Sequence, residues 1–207
     1  MLNEMIQKQH ALVANLMQQQ SETELLKAVT SSDRDFYATL QKSGYKFILE
    51  CKHRSPREGL LRKDYPIVEL AKTYELFADV ISVLSNEHYF DGSFTHLQQV
   101  RQYVSIPVLC KDIIVSPYQV ALARQYGADA ILLMLSVLDD MTYLSCQQLA
   151  EKLNMGILTE VVTLQELQRA KHLKAKAIAI NHRDLHTLTL DMERVISLAL
   201  LFLKKRL

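Results

Sequence analysis

At 207 residues, with 49% hydrophobic and 23% charged side chains, the chain is sized for one sizeable core or two small ones and has an ordinary globular composition. A formal net charge of +1 gives no overall pull toward a polyanion or an anionic membrane. The first eight residues lack the basic start and apolar centre of a secretory leader, and no apolar run approaches the roughly 20 residues that span a bilayer. The sequence therefore predicts a cytoplasmic protein with neither nucleic acid nor membrane as partner.

Residues 1–44 read as a helical extension. Leu12, Val13, Leu16 and Met17 are spaced to share one face of a first helix, residues 22–29 make a second, and Phe36 and Leu40 follow Ser31-Ser-Asp33 as a capped third. From residue 45 to 207 short aliphatic runs alternate with amphipathic stretches. Strands are predicted at 46–52, 80–84, 107–111, 130–135, 156–160 and 177–181. Helices are predicted between and after them, at 67–77, 95–103, 117–126, 140–153, 164–173 and 191–204. One helix per strand makes βα units and hence a parallel sheet. Gly127-Ala-Asp129 and Asn154-Met-Gly156 read as helix stops, and Asp139-Asp140 as a helix cap. Unalternated runs such as Ile131-Leu-Leu-Met-Leu135 match strands buried on both faces. A doubly wound nucleotide-binding sheet has the same rhythm, but no GxGxxG follows any strand. The six units therefore point to an α/β fold of the TIM (β/α)8-barrel type, incomplete, behind the helical extension.

Three strands end in charge. In Phe47-Ile-Leu-Glu-Cys-Lys-His-Arg-Ser-Pro56, alternation sends Glu50 and Lys52 to one face and Cys51 to the other. Val108-Leu-Cys-Lys-Asp112 and Ile157-Leu-Thr-Glu160 repeat the arrangement. Charges are costly to bury without partners or a task, and converging charged strand ends are how a barrel builds its active site. Two lysines and two glutamates in one mouth would keep each other charged, and their geometry is expected to move a lysine pKa toward working pH. Cys51 and Cys110, with Cys146, form no CxxC and read as small core residues, the first two turned toward the helices. Glycine is scarce, five in all, where average usage would give about fourteen.

With those residues in view, the chain closely resembles the indole-3-glycerol phosphate synthase family, most of all the synthase half of the bifunctional bacterial enzymes fused to phosphoribosylanthranilate isomerase. The matching segments run almost end to end: Phe47-Ile-Leu-Glu-Cys-Lys52 with Ser55-Pro56, Tyr89-Phe-Asp-Gly-Ser93, Pro107-Val-Leu-Cys-Lys-Asp112, Pro117-Tyr-Gln119, Leu135-Ser-Val-Leu-Asp-Asp140, Met155-Gly-Ile-Leu-Thr-Glu160 and Ile180-Asn-His-Arg-Asp-Leu185. The resemblance implies a carbon–carbon lyase of tryptophan biosynthesis acting on a small phosphorylated substrate, 1-(2-carboxyphenylamino)-1-deoxyribulose 5-phosphate. An aromatic carbon attacks a ketone, carbon dioxide leaves, and water is eliminated to close the indole ring. It implies Lys111 as general acid, Glu160 as general base, and Lys52 as the cation for the departing carboxylate and a second acid. Glu50, Asn181 and Arg183 would position the substrate, Ser55 would meet its phosphate, and Phe90 with Leu132 would wall its ring. No cofactor or metal is implied, since lysine supplies the electrophilic push.

The family barrel has eight strands, and strands seven and eight, whose glycine-containing turns cradle phosphate, have no counterpart in these residues. The open edges at the first and sixth strands predict self-association or pairing with a partner, and weak or no synthase activity from the chain alone. The other function class is a non-catalytic barrel remnant or interaction module. Ile113 stands where relatives carry phenylalanine, removing one aromatic contact from the ring pocket. Lys52-His-Arg-Ser-Pro-Arg57 with Arg62-Lys63 lacks the interleaved aromatics of a nucleic-acid patch and reads as a solvated loop that meets an anionic substrate. His182 and His186 have metal-pair spacing but no third ligand nearby in sequence.

Overall fold

The computed structural model describes residues 2–183 and 189–203, the last two by backbone alone. Six strands form a single parallel sheet: β1 (Ile48–Cys51), β2 (Val80–Leu84), β3 (Val108–Lys111), β4 (Ala130–Met134), β5 (Gly156–Val161) and β6 (Ala177–Ile180). They lie in strict chain order, so the sheet never reverses direction as a doubly wound sheet does at its switch point. The result is a curled, partial (β/α) barrel. Its helices are α4 (Ile67–Glu75), the short α5 (Glu87–Phe90) with α6 (Phe94–Tyr103), α7 (Pro117–Gln125), α8 (Asp140–Lys152), α9 (Leu164–His172) and α10 (Met192–Leu203). Among the described residues β1 pairs only with β2, and β6 only with β5. None of these helices is long and apolar enough to cross a membrane.

Alternation sorts the strand side chains into two layers. Cys51, Ile81, Val83, Cys110, Ile131, Leu133 and Ile157 face outward and pack with the helices in the largest core cluster. Burial pushes the Cys51 and Cys146 thiols up to about 12 and raises Cys110 as well, so all three are held as inert thiols. Val80, Leu109 and Ala130 face inward and pack with Phe36, Tyr37 and Leu40, which close the amino-terminal end of the barrel. Phe36 sits so close that a Cβ on Gly156 would lie 2.3 Å from its ring, which is why β5 must begin with glycine.

The helical extension packs on this frame as α1 (Leu2–Gln19), α2 (Glu22–Ala28) and α3 (Phe36–Gln41). Two details differ from the sequence reading. The buried stripe of α1 is Leu2, Met5, Gln9 and Val13, while Met17 is 39% exposed. The polar Gln9 lies inside that stripe and hides it from a purely apolar count. The cap of α3 is Asp35, which accepts from the Ala38 amide at 2.9 Å, rather than Ser31–Asp33. Ser32 is buried instead and donates to Asp129 at 2.8 Å.

Asp129 does more than follow a helix stop. Its fully buried carboxylate meets Arg124 at 3.1 Å, Arg101 at 3.5 Å and Arg34 at 3.8 Å, and accepts from the Val108 amide at 3.0 Å. This one side chain ties the extension, α6, α7 and the start of β3 together. Asp139 caps α8 as expected, accepting from the Thr142 amide at 2.7 Å. Gly127 and Asn154, the residues that stop α7 and α8, have φ of 97° and 53°.

Candidate active site

The inward residues at the carboxyl ends of the strands surround a cavity of about 670 Å³, within the usual range for a small-molecule site. Glu50 and Lys52 reach it from the end of β1, Lys111 from β3, Leu132 from β4, Glu160 from β5 and Asn181 from just beyond β6. Ser55, Phe90 and Arg183 complete its walls from the connecting segments. All nine side chains singled out from the sequence therefore line one cavity. His182 lines it too, whereas His186 lies outside the described residues.

Glu50 is the electrostatic centre. Lys52 Nζ donates to its Oε1 at 2.7 Å, and Lys111 Nζ approaches Oε2 at 3.5 Å. Burial alone would raise the Glu50 carboxyl, but Lys111 and Lys52 outweigh it and hold the group below its ordinary value. Burial likewise works against the Lys111 ammonium, and here Glu50 and Glu160 win, raising its pKa. The expected movement of a lysine toward working pH is thus corrected for Lys111, because two carboxylates face a single partly exposed ammonium. Lys111 stays charged across the neutral range.

Glu160 is 6% exposed and accepts a hydrogen bond from Asn181 Nδ2 at 3.0 Å. Asn181 Oδ1 in turn accepts from the Arg183 amide at 2.9 Å, which fixes the amide's orientation and leaves the second carboxylate oxygen to other contacts. Ser55 sits in a small antiparallel hairpin, Arg54–Ser55 against Gly59–Leu60, and its Oγ accepts from the Glu58 amide at 3.1 Å. The basic loop is less solvated than its sequence implies. His53 stacks on Tyr65 with ring centroids 4.8 Å apart, and both His53 and Arg54 lie 3.8 Å from Asp91.

Sequence reasoning missed part of the apolar wall. Leu2 and Met5 of α1 line the cavity beside Ile113 and Met134, and both are buried. Only their spacing three apart on a helix could have signalled this, and nothing in that spacing says what the helix covers. The cavity is lined by cations and carboxylates together with apolar side chains, so it can meet both the charged groups and the apolar surface of one small ligand.

A family model described as indole-3-glycerol phosphate synthase matches residues 2–207. The tryptophan biosynthesis protein TrpCF of Vibrio parahaemolyticus is 54% identical over 168 residues, covering 81% of this chain and 35% of that protein. TrpCF of Yersinia pestis is 48% identical over 198 residues, 96% of this chain and 42% of that protein. The chain thus spans about two fifths of the length of such curated relatives. Among solved structures, 3-keto-L-gulonate-6-phosphate decarboxylase from Vibrio cholerae superposes with a TM-score of 0.53 at 16% identity, covering 74% of this chain and 72% of that one, a likeness of fold alone. The family match runs from the second residue to the last beside relatives that are about half identical, and the chain belongs to the indole-3-glycerol phosphate synthase family.

Proposed function

We propose that the cavity is an indole-3-glycerol phosphate synthase site, acting in tryptophan biosynthesis in the cytoplasm on 1-(2-carboxyphenylamino)-1-deoxyribulose 5-phosphate. The observation that carries this reading is the placement of Lys111 and Glu160 around one cavity, with Glu50 bridging Lys111 to Lys52. Lys111 donates to the ketone oxygen while the aromatic carbon attacks the ketone carbon. Its raised pKa makes it a persistent cation, so its first contribution is to stabilise the developing alkoxide, with the proton following as oxygen basicity rises. Lys52 holds the carboxylate on the attacking ring carbon until the bond between them breaks and carbon dioxide leaves, its electron pair restoring the aromatic ring. The hydroxyl then departs as water with a proton from an ammonium, and Glu160, held by Asn181, takes the proton whose loss completes the indole. Glu50 lies between the two ammonium groups and holds Lys111 charged. Arg183 and Asn181 orient the charged end of the substrate, Ser55 meets its phosphate, and Phe90 with Leu132 flanks the ring. No step in this scheme calls on a metal or a cofactor.

A second reading is favoured by the sheet itself, which is open between β1 and β6 among the described residues. On that reading the chain is a barrel portion that turns over slowly by itself, associates through its open edges, and acts fully when further strands close the gap. Indoleglycerol phosphate formation, followed by indole fluorescence, separates the two. The chain contains no tryptophan, so no indole of its own adds to the signal. Product from the chain alone at the rate of an eight-stranded relative would remove the second reading. Product only after adding a polypeptide that supplies two βα units would establish it, and no product in either case from folded protein would overturn the synthase proposal.

A further inference from the structure

Next to the cavity lies a buried polar cluster to which the synthase chemistry gives no task. Gln9, Asn86 and Asp112 are 2%, 3% and 5% exposed. Gln9 Nε2 donates to Asp112 Oδ2 at 3.3 Å, and Asn86 Nδ2 donates to Gln9 Oε1 and to Asp112 Oδ1, both at 3.0 Å. The Ile113 amide donates to the same Oδ1 at 2.7 Å, and Asn86 Oδ1 accepts from the Tyr89 amide at 3.2 Å, capping α5. Each member belongs to a different piece of the cavity wall. Gln9 shares α1 with Leu2 and Met5, Asn86 caps the helix that carries Phe90, and Asp112 separates Lys111 from Ile113.

A buried carboxylate held by neutral donors is a poor way to gain stability, since apolar groups of the same shape would serve as well. A fully connected polar cluster does specify one geometry, because any other leaves a buried group unsatisfied. We propose that Gln9 is a positioning residue: through Asn86 and Asp112 it docks α1 in the one pose that sets Leu2 and Met5 against the substrate's aryl ring and keeps Lys111 aimed into the cavity. The proposal rests on the synthase reading of that cavity, and goes beyond it by giving the helical extension a task.

The test uses the full chain and needs no turnover, so the absence of product both with and without the added βα units would sink the synthase reading while leaving this measurement intact. Replacing Gln9→Met keeps the shape and removes both polar contacts. Amide hydrogen exchange in α1 should lose about tenfold of its protection, and Lys111 should acetylate faster by a similar factor, while exchange in β2 to β4 stays unchanged. Loss of α1 protection with Lys111 reactivity unchanged would reduce Gln9 to a purely structural contact and overturn the proposal. Gln9→Glu supplies an independent arm if the first variant does not fold. It places a second carboxyl beside Asp112, a group that burial already pushes up against the hydrogen bonds from Asn86, Ile113 and Gln9, with Glu87 on α5 adding negative charge. One shared proton restores the contact, so α1 protection relative to the parent chain should recover as pH falls from about 8 to about 5. A ratio that does not change with pH would contradict the assignment.

Discussion

Glu50 sits between two ammonium groups, and its own low pKa and the raised pKa of Lys111 are two views of one interaction. Replacing Glu50→Gln leaves burial of Lys111 opposed by Glu160 alone, so the Lys111 pKa should fall. A carbon-13 titration of the lysine side chains would show it, and an unchanged or rising value would contradict the electrostatic account. The stability signs follow from the same shifts. Glu50, held low, stabilises the fold above the ordinary carboxylate range and loses that contribution as pH falls through its lowered value. Lys111, held high, stabilises below its ordinary value and loses the contribution as pH rises through its raised one. The pair should therefore give a plateau from about pH 5 to about pH 10, shallow because both groups are partly exposed. In any preparation that turns over, Lys111→Met and Glu160→Gln should each lower kcat by about 10²- to 10⁴-fold with the fold retained, read by indole fluorescence and circular dichroism.

Between the site and the chain ends, two contacts hold the elements in place. Asp129 balances three arginines that are mostly buried, so Asp129→Ala should destabilise by about 3 kcal/mol in urea unfolding, most of it from Arg34 and Arg124 losing their counter-charge while Arg101 keeps Asp33. Gly156→Ala should cost about 1–3 kcal/mol by driving a methyl into Phe36, and Phe36→Leu should recover part of that loss in the double variant. The strands and most helices were legible in the sequence because period-two and period-3.6 patterns are local. So were Glu50, Lys52, Lys111 and Glu160, because charge at the end of an apolar strand is a local anomaly. Asp129 and Gln9 were not, since their partners lie far along the chain: Ser32 is 97 residues from Asp129, and Asp112 is 103 from Gln9. The Glu87–Phe90 helix and the hairpin of Arg54–Ser55 with Gly59–Leu60 were also missed, being too short to show a period.

The described residues make a curled sheet with two free edges, and both edges border the same cavity. Tyr45 and Phe47 are exposed beside β1, and Met192, Ile196 and Leu200 form an exposed stripe at i, i+4, i+8 on α10, next to β6. Unpaired strand edges flanked by apolar surface associate, so sedimentation equilibrium should show mass rising with concentration, and Phe47→Lys should reduce that rise. A mass that stays monomeric at every concentration would contradict the edge argument. The account as a whole stands on Lys111 and Glu160 acting on one substrate from different walls of one cavity. A crystal structure of the chain with a substrate analogue carrying an alcohol in place of the ketone tests this directly. The prediction is an alcohol oxygen about 3 Å from Lys111 Nζ, the aryl ring between Phe90 and Leu132, its carboxylate on Lys52, and Glu160 on the opposite side of the ligand. An analogue bound elsewhere, or bound in the cavity with Lys111 and Glu160 turned away from it, would contradict the account.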